Sequence, residues 1–209
     1  MRSKQFGLCV VVLALVTALT TSFVRSEEKA ATDKPAAGAM PTPEQMMAIM
    51  AKYGNPGPEH AKLKMMEGEF DADVTMQMMP DAPPQNSKGK IKNTMIMDGR
   101  YLQGEYTGDM MGQPFKGLSI MGYDNYAKKF NSLWIDSMST MAMNSEGAGD
   151  ASGKIEMKCT FDCPMTQSKR TSRTVVTVND ANSHTMEMFD AGPDGKEFKS
   201  MTIKYTRAK

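Results

Sequence analysis

The residues from Gly99 to Thr140 constrain the fold more than any other part of this chain. They read GRYLQGEYTGDMMGQPFKGLSIMGYDNYAKKFNSLWIDSMST, short aromatic and β-branched runs interrupted at strand-length intervals by Gly, Asp or Asn. Each run suits one strand and each break carries turn-forming residues, so the pattern predicts antiparallel strands joined by hairpins. The alternation begins earlier. Phe70, Ala72, Val74, Met76 and Met78 alternate with Asp71, Asp73, Thr75 and Gln77, which gives one buried and one wet face. Ile91, Asn93, Met95 and Met97 repeat it against Lys88, Lys90 and Lys92, and Asp98-Gly99 supplies a turn. Further strands are predicted over 101–110, 114–123, 128–137, 140–146, 154–161, 171–178, 184–190 and 197–206. A meander of about ten strands, with no long helix as a crossover, excludes parallel βαβ architecture. Closing it removes the exposed edges, so the expected fold is all-β, an antiparallel barrel.

One or two short helices precede the strands. Thr42 caps the first, Pro43 suits its first turn and Gln45 completes a capping box. Met46, Met47, Ile49, Met50 and Tyr53 follow at helical spacing before Gly54. Pro58 opens a second, with Leu63, Met65 and Met66 apolar and Gly68 beyond its end. Upstream, Arg2 and Lys4 precede an apolar run from Phe6 to Leu19, too short to span a membrane comfortably, and small and polar residues continue to Ser26. The expected organisation is a signal peptide over 1–26, a disordered spacer over 27–41, helices packing on the barrel over 42–66 and the barrel over 67–209. That order implies export, to a periplasm or the extracellular space. Membrane attachment would come only through residues 1–26 left uncleaved.

The formal charge of the chain is +1, and removal of Arg2, Lys4 and Arg25 with the leader takes it to −2. Neither value creates a field that draws in nucleic acid. Lys88, Lys90 and Lys92 read as the solvated face of one strand. Beyond the leader only Cys159 and Cys163 remain. Four residues of extended strand cover about 13 Å, whereas a disulfide needs Cα atoms within roughly 7 Å. The bridge therefore closes only if the chain reverses near Asp162-Cys163-Pro164, and it stays open on sequence grounds.

The block with GRYLQGEY, GYDN and WIDSMST, together with GPDGKEF near the C-terminus, resembles the bacterial family called domain of unknown function 1579, over about residues 43–207. That family name implies no activity. The organisation also resembles the lipocalin-like, calycin-type barrels, a resemblance that implies an interior holding small apolar ligands. Many of those barrels begin Gly-x-Trp, and here Gly68-Glu69-Phe70 carries Phe instead.

Twenty-three methionines call for a physical reason. Strand parity turns Met76, Met78, Met95, Met97, Met157, Met186, Met188 and Met201 inward, where a flexible, polarisable side chain suits an adaptable pocket. Copper(I) is the competing reading, but copper-handling methionines sit on exposed loops, often with His. His60 falls on the second helix. His184 shares parity with Met186 and Met188, and its inward placement would suit haem iron or, more simply, a hydrogen-bonded strand-end residue. No nucleophile elbow or metal-ligand spacing occurs, so no cofactor and no metal is expected. The polar candidates are Arg100, Tyr106, Tyr123, Trp134 and Asp136, which with Met97 and Met186 form the predicted ligand-binding set. An Arg100–Asp136 pair would orient a head group beneath methionines, or act as a structural ion pair. The sequence thus points to a non-enzymatic barrel binding a small apolar or amphiphilic molecule. A structural or protein-interaction module with a solid core competes with it, and an enzyme using Arg100 and Asp136 comes last.

Overall fold

A computed structural model describes residues 40–209. The expected signal peptide and nearly all of the spacer lie outside the described residues. Two helices, α1 (Pro43–Gly54) and α2 (Pro58–Met65), lead into ten strands. These are β1 (Gly68–Met76), β2 (Gln85–Ile96), β3 (Tyr101–Met110), β4 (Gln113–Asp124) and β5 (Lys129–Asp136), then β6 (Met143–Gly149), β7 (Lys154–Cys163), β8 (Ser168–Asp180), β9 (Ser183–Ala191) and β10 (Glu197–Arg207). Each strand pairs antiparallel with its sequence neighbours, and β1 pairs with β10 from Phe70↔Arg207 to Met76↔Met201, so the sheet closes on itself. The all-β barrel with two short N-terminal helices is the predicted architecture.

The chain divides into two units, Met1–Ala48 and Ile49–Lys209. In the first, the described residues hold the start of α1. The Thr42 amide donates to Gln45 Oε1 at 2.9 Å and the Gln45 amide to Thr42 Oγ1 at 3.2 Å, a reciprocal capping box. The second unit contains the barrel.

Meander order puts the turns after β2, β4, β6 and β8 at one end of the barrel and the connections after β1, β3, β5, β7 and β9 at the other. Helix α2 lies at the first end. Its Leu63, and Met66 just beyond it, are buried with Leu102, Phe130, Ile155, Met157, Val176 and Val178, and this cluster forms a floor. The inner Asn93 holds the helix exit in place by donating from Nδ2 to the Met66 carbonyl at 2.8 Å. Lys62 Nζ also donates to the Asp150 carbonyl in the turn after β6. A second cluster, with Phe70, Val74, Ile91, Tyr106, Phe115, Ile203 and Tyr205, lines the wall above the floor.

The inward methionines diverge from the parity rule at two strand ends. Ile96 pairs with Tyr101, so the connection is the four residues Met97–Arg100 rather than a two-residue Asp98-Gly99 turn. Met97, Asp98 and Gly99 take φ of 52°, 55° and 82°, which swings Met97 outward, 67% exposed. β1 likewise stops at Met76, so Met78 sits in the following connection, half exposed. Strand alternation holds only as far as the ladder does. Cys159 and Cys163 are both buried and free, because β7 stays extended through Cys163 and keeps the thiols apart.

Candidate functional site

Above the floor the barrel is hollow. A cavity of about 530 Å³ runs from Met66 to the far end, where it opens between the connections that follow β1, β3 and β5. Its wall is built by parity. Met76 and Val74 of β1, Ile91 of β2, Met186 and Met188 of β9 and Met201 and Ile203 of β10 contribute an aliphatic and thioether side. Phe115 and Trp134 add stacked rings 6.3 Å apart. Such a space is large enough for a drug-sized molecule.

Trp134 is the only tryptophan of the chain. Its strand partner is Ser119, and a side chain on the neighbouring Gly117 would collide with the indole, so the glycine makes room for it. Trp134 Nε1 donates to Asp136 Oδ2 at 3.1 Å, and Asp136 Oδ1 accepts from the Met138 amide at 2.9 Å. The carboxylate thus fixes both the indole and the start of the connection after β5. Asp109 plays a similar part at the rim, accepting from the Gly112 amide at 2.7 Å.

A polar row crosses the wall from β5 to β8. Ser132, Ser145, Cys159 and Ser172 are consecutive register partners across β5, β6, β7 and β8, all facing the cavity. Burial raises the Cys159 thiol pKa against the opposing pull of its hydrogen bond with Ser145, so it stays a neutral thiol. His184, 5% exposed, is stacked on Tyr205 with ring centroids 4.4 Å apart and meets Phe70 edge-on at 4.7 Å. Burial, and then the Arg207 charge, lower its pKa to about 4, so the imidazole is neutral at pH 7. Burial also raises the pKa of Tyr106 and Tyr205. All three side chains line the cavity, and none has a hydrogen-bond partner among the described residues, which leaves their polar atoms for a ligand or water.

Of the residues the sequence singled out, Tyr106, Trp134, Asp136 and Met186 line this cavity, and Met97, Arg100 and Tyr123 do not. Arg100 lies in the turn after β2, at the floor end, and Asp136 ends β5 at the open end, so the two never meet. Arg100 instead donates from Nε to the Gly54 carbonyl at 2.8 Å, holding the end of α1. Tyr123 sits beneath α2, packed against Phe130 at 4.9 Å and the His60 ring at 6.0 Å. His60 is buried at that contact, where its Nδ1 accepts from the Gly57 amide. The serine row, Asp109 and Tyr205 escaped the sequence reading. The row emerges only when four strands are set in register. Among the described residues no three His, Cys, Asp or Glu side chains are grouped to hold a metal ion.

A family described as a protein of unknown function, DUF1579, matches residues 55–207. Among curated proteins none matches the chain. Two solved structures share the fold. The protein Rv2717c from M. tuberculosis superposes with a TM-score of 0.54 at 9% identity, covering 74% of this chain and 100% of that one. The S-type phycobiliprotein lyase CPES from Guillardia theta gives 0.53 at 11% identity, covering 74% and 99%.

Proposed function

We propose that the chain, which belongs to DUF1579, a family of proteins of unknown function, binds a small amphiphilic molecule inside its barrel. The observation that carries this reading is the cavity of about 530 Å³ lined by thioethers, aromatic rings and a row of three serines and a thiol. An apolar body would lie against Met76, Met186 and Met201. Polar atoms of the ligand would meet His184, Tyr106 or the serines. Thioethers suit this because they adapt to irregular shapes at little conformational cost. A hollow of this size favours this reading over a module with a solid core. The same barrel also carries a phycobiliprotein lyase, so a fold of this kind serves more than packing. Export of the protein, expected from residues 1–26, is part of the proposal.

The single tryptophan makes the test direct. Titration with N-phenyl-1-naphthylamine, a neutral apolar fluorophore, is expected to be saturable at one molecule per chain. Trp134 emission should be quenched in step with the rise in probe emission. Met186→Arg, which places a charge on the wall, should abolish both changes while the far-ultraviolet circular dichroism stays that of a β-barrel. A probe that leaves Trp134 emission untouched, or binds the Met186→Arg variant equally well, would overturn the reading.

A further inference from the structure

The cavity is one-sided in charge. Among the described residues that line it there is no lysine or arginine, whereas two carboxylates, Asp109 and Asp136, stand at its rim. His184 adds no positive charge, being neutral at pH 7. Neither carboxylate forms an ion pair with another described residue. Their hydrogen bonds come from neutral donors, the Gly112 amide for Asp109 and the Trp134 indole and Met138 amide for Asp136. The lysines of the two strands that meet at Trp134 do not line the cavity. Lys116 and Lys129 are outside the cavity lining, on the outer parity of β4 and β5, a parity that Asp109 shares on β3 and leaves only by reaching the rim at the strand end, and Lys129 is paired with Glu146.

We infer that the ligand is a cationic amphiphile: an apolar body held by the methionines and an amine or quaternary ammonium head held at the mouth by Asp136, Asp109 and Trp134. This inference rests on the binding function proposed above and deepens it by naming the chemical class. Three physical effects act together. An anionic head would meet two carboxylates and no counter-charge, which disfavours fatty acids and related carboxylates. A cationic head gains from both carboxylates, more so because one side of the rim is low-dielectric protein. The Trp134 ring, fixed in orientation by its bond to Asp136, offers a π surface beside that charge, and indole is the best aromatic partner for a cation. The apolar part is then buried below the head, among Met76, Met186, Met188 and Met201, where each methylene removed from water adds affinity.

The experiment compares decyltrimethylammonium, decanol and decanoate, the two ions below their micelle concentrations and decanol below its solubility limit, by displacement of N-phenyl-1-naphthylamine from the full chain. The ammonium is expected to bind at least about tenfold more tightly than decanoate, with decanol between them. Asp109→Asn and Asp136→Asn keep an acceptor for the Gly112 and indole N–H groups but remove the charge. The double variant should bring the ammonium-to-decanoate ratio close to one. Raising salt should also compress the ratio in the unaltered protein, a reading that does not depend on the variants folding. Equal binding of all three, tighter decanoate, or a ratio unmoved by both salt and the double variant would overturn the inference and leave the binding function standing. If decanol and the other two fail alike to bind, the binding function itself falls, and this inference with it.

Discussion

Gly117 leaves free the space that the Trp134 ring occupies, and the collision expected of an added side chain turns that vacancy into a prediction. Gly117→Ala should push the indole off the strand, break its bond to Asp136 and destabilise the barrel by about 1–3 kcal/mol, as overpacking does. A red-shifted tryptophan emission and a lower thermal midpoint would show it. His184 gives a second residue-scale prediction, with a sign that follows from its environment. Its pKa is about 4 in the folded protein against 6.5 when exposed, so between these values the unfolded chain holds more protons. Stability is therefore full above pH 6.5 and falls as pH is lowered toward 4, by roughly 3 kcal/mol in all. His60, also lowered chiefly by burial, contributes in the same direction. Urea unfolding at pH 7.5 and 4.5 should show a larger loss in the unaltered protein than in His184→Gln, which keeps the share of His60 and of the carboxylates that the fold lowers, Asp124, Asp150 and Glu197. Parallel slopes in the two proteins would assign the pH dependence elsewhere.

At the scale of elements, the floor end is a set of backbone carbonyls held by side chains from barrel turns. Arg100 takes the Gly54 carbonyl, and Asn125 Nδ2 donates to the carbonyls of Tyr53 and Asn55 at 3.0 and 2.8 Å. Arg100→Ala should raise amide exchange in the last turn of α1 and around Asn55. It should leave the affinity for N-phenyl-1-naphthylamine within about twofold, because the cavity opens at the other end. A large loss of binding would restore Arg100 to the site where the sequence reading put it. That misplacement shows what the chain alone reveals and what it hides. Periodicity and turn residues expose the strands from Phe70 to Arg207, because alternation is a property of one strand and needs no partner. The capping box at Thr42 and Gln45 is legible for the same local reason. Placement at a barrel end depends on where each ladder stops. Arg100 and Met97 share the inner parity of their neighbours, yet Ile96↔Tyr101 closes the ladder before both. The Ser132–Ser145–Cys159–Ser172 row is equally non-local, since it exists only through three inter-strand registers.

At the scale of the whole barrel unit, Ile49–Lys209, the closed sheet and α2 at its floor end enclose the cavity. Closure leaves no free strand edge among the described strands, and Met66 lies beneath the cavity, where under the proposed binding function it would set how far a ligand descends. A homologous series of primary alcohols reads that depth directly. Each added methylene should increase binding by about 0.8 kcal/mol while it still leaves water for the cavity. Once the chain end reaches Met66 the gain should stop, because further methylenes must fold back or remain at the mouth. Met66 is 3% exposed, so Met66→Ala is expected to cost about 2–5 kcal/mol of stability. Where its cavity persists, the break in the series should move to a longer alcohol. Displacement of N-phenyl-1-naphthylamine follows every member of the series. A series that climbs without a break in the unaltered protein would mean a passage through the floor, and α2 would then be a gate rather than a base. A break that stays in place in Met66→Ala would mean that the wall, closing in above the helix, sets the limit.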